Sequence, residues 1–327
     1  MGVGLAAGAA GAADRMALNM RYFTIIALAI AGTLLVGIPI DAATPEGRGF
    51  PSADAAAKAL VGAAKSDDVT ALIAILGPAS KEILTTSDPV ADQQSVRKFA
   101  ARAGAKMKLV ADLKEPLAKT LLVGKDDWPL PIPIVQVNGQ WYFDVEQGKQ
   151  EILMRRIGGN ELDAIEVCRG YVEAQNDYAE DRTGSEVLHY AQKIFSSPGK
   201  RDGLYWPSSG ANDESPIGAI VAQAFAEGYT KRHDPYHGYY FKILTGQGPH
   251  ASGGEMSYLA NGLMTKGFAL IAWPSDYKST GIMTFIVDKV GIVYQKNLGP
   301  KTPEIAGAYK AYDPDETWSP VETSARK

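Results

Sequence analysis

The fold class follows from residues 131–145, PIPIVQVNGQWYFDV. Asn138-Gly139 separates two apolar runs, and a type I′ turn needs positive φ at both central residues, which Asn and Gly tolerate best. The stretch therefore predicts an antiparallel hairpin. Pro131 and Pro133 cannot donate to a ladder, so we expect this strand to begin at a sheet edge.

Helical patterns precede the hairpin. Ser52 is an N-cap candidate for a first helix, residues 67–76 predict a second that Gly77-Pro78 ends, and residues 92–103 predict a third. The runs KMKLVADL and KTLLVGKD then have the composition of strands. Helices followed by an antiparallel meander predict an α+β domain over residues 50–150.

A second α+β domain is predicted over residues 151–320, with a tail at 321–327. A long leading helix covers about residues 147–179, where Gly158-Gly159 allow a break and Asn160 a new cap. Thr183 and Glu186 form a capping box that restarts a helix toward Phe195.

Another helical pattern, SPIGAIVAQAFAEGY, follows a loop rich in Ser, Pro and Gly. The runs GYYFKILTGQG, GFALIAWP and MTFIVDKVGIVYQKN then predict strands of a second sheet. The overall expectation is two antiparallel sheets, each packed on helices.

Composition narrows the function classes. The chain has 327 residues, a net charge of −4 and 21% charged residues. Lys and Arg are scattered, and nucleic-acid binding needs a basic surface, so nucleic acid is not an expected partner. The single cysteine, Cys168, excludes an internal disulfide and a cysteine metal site. Its helical spacing with apolar neighbours predicts a buried residue.

Residues 1–42 are predicted to be a targeting segment. Arg21 precedes the apolar run 22–40 and a small-residue exit, so we expect a secretory signal cleaved after Ala42 and a periplasmic or secreted protein. The run is also just long enough to span a bilayer, so a retained N-terminal anchor is the alternative. Met16 and Met20 are alternative starts, and the absence of a cysteine after the run excludes a lipoprotein.

The segment 231–243, KRHDPYHGYYFKI, contains the most suggestive side chains. His233 and His237 have the spacing of a helical metal pair, but Pro235 and Gly238 oppose a helix there. We therefore interpret the segment as a turn that leads into a strand, with a polar binding surface as the functional alternative.

No cofactor is expected, because the chain has no phosphate-binding glycine loop, no nucleophile elbow and no zinc-protease helix motif. The acidic residues between Asp177 and Glu186 lack the spacing of a calcium loop and fit helix capping better. Whether calcium binds there stays open.

Charged and aromatic side chains near loops are the binding-site candidates, because aromatic residues at loop edges often mark contact surfaces. These candidates are Asp202, Tyr205, Trp206, His233, Asp234, Tyr236, His237 and Trp273. No catalytic, cofactor-binding or metal-binding residue is assigned.

Several phrases together resemble a bacterial family known as domain-of-unknown-function family 2950. They include FPSADAAAKALVGAAKSDD, LYWP, DPYHGYYFKILTGQGP and AYDPDETW, and the resemblance covers about residues 48–320. It implies an exported protein of Gram-negative bacteria and brings no catalytic residues. The second domain also resembles the globular heads of type IV pilins and pseudopilins, and the first resembles the cystatin and nuclear-transport-factor-2-like (NTF2-like) class.

The expected function is a non-catalytic binding or assembly factor of the bacterial envelope, whose partner is an unknown protein or envelope polymer. One alternative is a hydrolase of envelope polymers with a site between the domains, built from Asp202 or Asp234 with His233 or His237. A second alternative is a structural protein tethered to the membrane by residues 22–40. Whether the chain is an enzyme stays uncertain, and the absence of a catalytic motif favours a non-enzyme.

Overall fold

The first half of the protein folds as helices followed by an antiparallel sheet. The computed structural model describes residues 45–112, 115, 117–181, 187–208, 210, 213–229 and 234–322. The helices are α1 (Ala53–Lys65), α2 (Val69–Leu76), a short 3-10 helix (Pro78–Ser80), α3 (Lys81–Leu84) and α4 (Pro89–Ala105). The strands are β1 (Met107–Ala111), β2 (Ala118–Val123), β3 (Trp128–Pro129), β4 (Ile134–Val137) and β5 (Gln140–Phe143).

The Asn138-Gly139 hairpin forms as its sequence predicts. Both residues have positive φ, 53° and 80°, and Val137 pairs with Gln140 across the turn. The edge-strand prediction is wrong, because β4 lies between β2 and β5 in the order β1-β2-β4-β5. Pro131 and Pro133 precede β4 instead of lying in it, so no ladder bond is lost.

Local capping explains where the first helices begin. The Ser52 side chain accepts a hydrogen bond from the Ala55 N–H at 3.1 Å and starts α1. Helix α4 begins at Pro89, earlier than the pattern suggests, because Asp88 caps it and proline is favourable in a first turn. The apolar faces of α1, α2 and α4 cover the sheet and form a first core, which includes Leu60, Leu121, Ile134 and Phe143.

Helix α5 (Val145–Asp181) runs for 37 residues without the break that Gly158-Gly159 allow. The break is absent because both ends of the helix are held by packing. Ile152 packs against the first core, and Cys168 lies within a second core with Phe268, Ile271 and Phe285. Asn160 is likewise no cap, since its side-chain amide donates to the Thr280 carbonyl at 2.9 Å.

The second half builds another antiparallel sheet on α5. Its main strands are β6 (Tyr239–Leu244), β11 (Ala269–Pro274), β12 (Thr284–Asp288), β13 (Tyr294–Lys296) and β14 (Ser319–Pro320), in the order β14-β13-β12-β11-β6. Helices α6 (Gly218–Glu227) and α7 (Thr302–Ala308) also belong to this half of the protein. Two short pairs join β7 (Gly246–Gln247) to β8 (Met256–Ser257) and β9 (Leu259–Ala260) to β10 (Leu263–Met264).

The helix predicted to end near Phe195 is absent from residues 187–195. Their backbone groups bond elsewhere: Tyr190 pairs with Met264, and Phe195 pairs with Tyr205. The apolar spacing there reflects burial in an irregular segment, which the spacing alone cannot distinguish from a helix. The capping box of Thr183 and Glu186 lies outside the described residues.

These elements make an α+β fold within one compact unit, Thr44–Lys327, that contains both cores. The domain boundaries near residues 150 and 320 stay a prediction. Of the helices in the described part of the chain, none combines the length and apolar character that crossing a bilayer requires.

We predict that Gly158→Ala stabilises the protein. A Cβ there would meet nothing within 4 Å, and alanine favours a helix interior by about 0.5–1 kcal/mol over glycine. The free energy of unfolding in urea should rise by that amount. Gly238→Ala is the control and should lower it, because φ is +75° and the new Cβ would lie 2.5 Å from Asn160 Nδ2. No gain from Gly158→Ala would contradict a continuous helix.

Candidate functional site

A cavity of about 560 Å³ lies between α5, α6 and strands β6 and β11. This volume is in the range of pockets that hold small organic molecules. The lining residues come from α5, from α6 and the residues that flank it, from the sheet, and from residues 194–207 and 234–236. They are Val167, Tyr171, Ile194, Phe195, Leu204, Tyr205, Pro207, Ile217, Ile220, Val221, Ala224, Phe225, Tyr229, Asp234, Tyr236, Tyr240, Phe241, Leu270 and Trp273.

The lining is apolar and aromatic, with a few polar groups. The Tyr171 hydroxyl donates to the Ala269 carbonyl, and the Tyr229 hydroxyl donates to Asp88. Tyr205, Tyr236 and Tyr240 have no side-chain hydrogen bond within the described residues, so their hydroxyls remain available to a ligand. Such a lining suits a mainly apolar molecule that is oriented by a small number of polar contacts.

The cavity meets the free edge of the second sheet. Strand β6 ends the sheet and pairs only with β11 in the described chain. Tyr240 and Phe241 are neighbours in β6, so they point to opposite faces, yet both line the cavity. The cavity therefore lies beside the last strand of the described sheet.

Helix α6 forms one wall of the cavity with its apolar face. Val221 is buried, whereas Ile220 and Phe225 are 40% and 46% exposed although both line the cavity. The helix ends at Gly228, whose φ of +106° suits the left-handed C-cap position. The exposed apolar residues show that this wall is incompletely covered by the protein itself.

The turn between Tyr236 and Tyr239 positions the charged groups beside the cavity. The two tyrosines exchange backbone hydrogen bonds, and the intervening His237 and Gly238 have φ of +49° and +75°. This is the geometry of a tight two-residue hairpin turn. It shows why His237 and Gly238 stop the helix that histidine spacing alone would suggest.

His237 lies between two carboxylates. Its Nδ1 is 2.8 Å from Asp163 Oδ2 on α5, and its Nε2 is 2.8 Å from Glu227 Oε2 at the end of α6. Ionised carboxylates only accept hydrogen bonds, so the protonated imidazolium, which donates from both ring nitrogens, satisfies both contacts. The Tyr236 ring stacks on it with centroids 4.1 Å apart.

Burial by itself would lower the pKa of His237, but the hydrogen bonds to Asp163 and Glu227 outweigh burial and raise it. Because the pKa is raised on folding, the stabilisation is complete below the ordinary value near ~6.5. It is lost as pH rises through the raised value. The attachment of the α6 end to α5 is therefore strongest in mildly acidic solution, below a pH of about 6.5.

Asp88 connects this turn to the first half of the protein. It is 1% exposed, and its Oδ1 accepts from the Ala91 N–H as the N-cap of α4. Its Oδ2 accepts from the Tyr229 hydroxyl at 3.0 Å and from the Gly238 N–H at 2.8 Å. One buried carboxylate thus satisfies three donors from two parts of the chain.

The structure brings four of the candidate residues together in the cavity lining: Tyr205, Asp234, Tyr236 and Trp273. His237 lies behind Tyr236, and His233 is outside the described residues. Trp206 is buried and its indole N–H donates to Asp213, while Asp202 binds Lys193 and Ser197 on the surface. Trp206 and Asp202 therefore make contacts within their own loop and do not line the cavity.

The cavity also contains residues that the sequence does not single out. Ile220, Ala224 and Phe225 follow the apolar spacing of α6, which is the one local signal that could have identified them. No local sequence pattern marks Asp88 or Asp163 as part of the site, because their hydrogen-bond partners are distant in the chain. Their positions depend on how the helices pack.

Other chemical groups offer little reactivity. Cys168 is fully buried, and burial raises the pKa of its thiol to about 12, so the thiolate is not available at neutral pH. Within the residues that the structure describes, no group of three His, Cys, Asp or Glu side chains is placed to hold a metal ion. The acidic segment between Asp177 and Glu186 falls partly outside those residues, so whether calcium binds there stays open.

Comparison with known proteins adds one relationship. A model of the family described as "Protein of unknown function (DUF2950)" matches residues 47–321. Neither a curated protein nor a solved structure matches the chain. The pilin-head and NTF2-like names for the two halves therefore stay predictions.

We predict that Asp88→Ala destabilises the protein more than Asp68→Ala. Asp68 is a matched control, because it caps α2 through the Ala71 N–H at 2.9 Å and is a surface N-cap. Loss of a cap costs about 1 kcal/mol in both variants. Asp88→Ala also leaves two buried donors unsatisfied, so its unfolding free energy should fall by about 2–4 kcal/mol more. Equal losses in urea denaturation would contradict the role of Asp88 in joining the two halves.

Proposed function

This chain belongs to the family of proteins of unknown function DUF2950, and we propose that it is a non-catalytic binding protein of the bacterial envelope. The observation that supports this proposal is the aromatic cavity of about 560 Å³ beneath α6. Its ligand is a small, mainly apolar molecule. A pocket of this size and lining buries most of such a ligand and gains free energy from the apolar area removed from water.

The exposed apolar walls of the cavity are typical of a ligand-binding site and not of a packing defect in the core. Ile220 and Phe225 line it and are still substantially exposed, so a ligand would cover apolar surface that the protein leaves in water. The fully buried second core lies under the cavity, with Leu270 contributing to both. A rigid floor and a partly exposed wall suit a site that binds and releases a ligand.

A hydrolase is the second candidate function, because His237 lies between two carboxylates beside a cavity-lining tyrosine. In this arrangement each ring nitrogen is occupied by a carboxylate. A general base needs a free nitrogen lone pair within reach of its substrate, and His237 is not among the lining residues. The geometry therefore favours a charge-stabilising role for His237.

Export is part of the proposal and depends on residues 1–42, which lie outside the described residues. N-terminal sequencing of the protein recovered from the periplasm or medium of the native host should show a chain that begins at Ala43. A chain that keeps residues 22–40 and fractionates with membranes would instead support the tethered alternative.

We predict that Ala224→Phe weakens ligand binding. Ala224 lines the cavity from α6, so a phenyl ring there would occupy the space that a ligand needs. The probe is N-phenylnaphthylamine, an uncharged aromatic molecule whose fluorescence rises in apolar surroundings. Its affinity should fall at least about tenfold, a loss of ~1.4 kcal/mol.

Ala222→Phe is the matched control, because Ala222 is on the same helix, is exposed and does not line the cavity. It should bind the probe as the unaltered protein does. If both variants keep the probe's affinity, the cavity is not the binding site.

A further inference from the structure

The cavity has an asymmetric charge. Among the lining residues that the structure describes, Asp234 is the only Asp, Glu, Lys, Arg or His. Within the described residues, Asp234 has neither a hydrogen bond nor an ion pair. A carboxylate at the border of an apolar cavity attracts a positive charge more strongly than it would in bulk water, because the surroundings screen it less.

The groups behind Asp234 strengthen this preference. Two carboxylates, Asp163 and Glu227, face the single imidazole of His237, so this cluster is negative even when the ring is protonated. Tyr236 stands between that cluster and the cavity. Its pKa is raised, first by burial and then by the charges of Glu227 and Asp163, so the negative potential reaches a lining residue.

The aromatic rings of the lining also favour a cationic ligand, by a different mechanism. Tyr236, Tyr240 and Trp273 line the cavity, and the Tyr240 and Trp273 ring centroids are 5.8 Å apart. The faces of such rings carry negative partial charge and attract organic cations, and tryptophan does so best. Both the carboxylates and the ring faces would repel an anionic ligand.

We propose that the ligand of this cavity carries a positive charge, as an organic ammonium group attached to an apolar chain or ring. The apolar part occupies the space among α5, α6 and the β6 edge, and the ammonium group lies by Asp234 and the aromatic rings. This inference rests on the proposed binding function and specifies its ligand class by charge complementarity.

The test compares three amphiphiles that share a decyl chain: decyltrimethylammonium, decanol and decyl sulfate. Each displaces N-phenylnaphthylamine from the purified full-length protein below its critical micelle concentration. We expect the ammonium compound to bind about tenfold more tightly than decanol, a difference of ~1.4 kcal/mol. Decyl sulfate should bind most weakly, and added salt should reduce the differences.

The variant Asp234→Asn tests whether the Asp234 carboxylate causes the preference for the ammonium compound. It should lower the affinity for decyltrimethylammonium about tenfold and leave decanol unchanged, and the urea unfolding curve reports whether the variant is folded. Asp54→Asn is the matched control, because it removes an exposed carboxylate in the first turn of α1 that is not in the cavity lining. It should leave the affinities for all three compounds unchanged.

The outcomes separate this inference from the proposed function. Equal affinity of the unaltered protein for the ammonium compound and decanol would overturn the cationic ligand, even if Asp234→Asn failed to fold. Unchanged ammonium affinity in folded Asp234→Asn would do the same. In both cases, decanol binding that is lost in Ala224→Phe would still support the cavity as a binding site. If no decyl compound binds, both the binding function and this inference fail.

Discussion

The continuity of helix α5 is the constraint on which the rest of the structure depends. Its 37 residues extend roughly 55 Å. The N-terminal part packs against the first core through Ile152 and Leu153, and later turns pass through the second core with Cys168. A break at Gly158-Gly159 would separate these two contacts. The glycines are tolerated because packing on each side outweighs their weak helix preference.

Polar contacts cluster where α5 passes from one core to the other. Asn160 bonds to the Thr280 carbonyl, Glu161 accepts from the N–H groups of Ile282 and Met283, and Asp163 bonds to His237. Arg156 donates to the Ile83 carbonyl. These bonds fix the rotation of α5 relative to both sheets, because each needs one particular face of the helix.

The same region attaches the cavity to the first half of the protein. Asp88 caps α4 and also binds Tyr229 and Gly238, so a helix start and a hairpin turn share one carboxylate. Gln94 on α4 donates to the Glu227 carbonyl at the end of α6 at 2.8 Å. The cavity wall is therefore held at its C-terminal end by polar bonds, while its apolar face contributes little burial of its own.

Local patterns predicted much of this protein. The Asn138-Gly139 turn, the first helices, α6 and the main strands follow from capping, turn chemistry and periodicity, which depend on residues a few positions apart. The α+β class follows from their order. The same reasoning failed at Gly158-Gly159 and at residues 187–195, where packing against distant segments outweighed or imitated a local signal.

The site depended on tertiary contacts almost entirely. Tyr205, Asp234, Tyr236 and Trp273 were recognisable as candidates by residue type, but nothing local showed that they would line one cavity with α6. Asp88 and Tyr229 are 141 positions apart, and Asp163 and His237 are 74 apart. Local patterns report which face of an element is buried and cannot report its neighbour, because that choice is made only when the helices dock on the sheets.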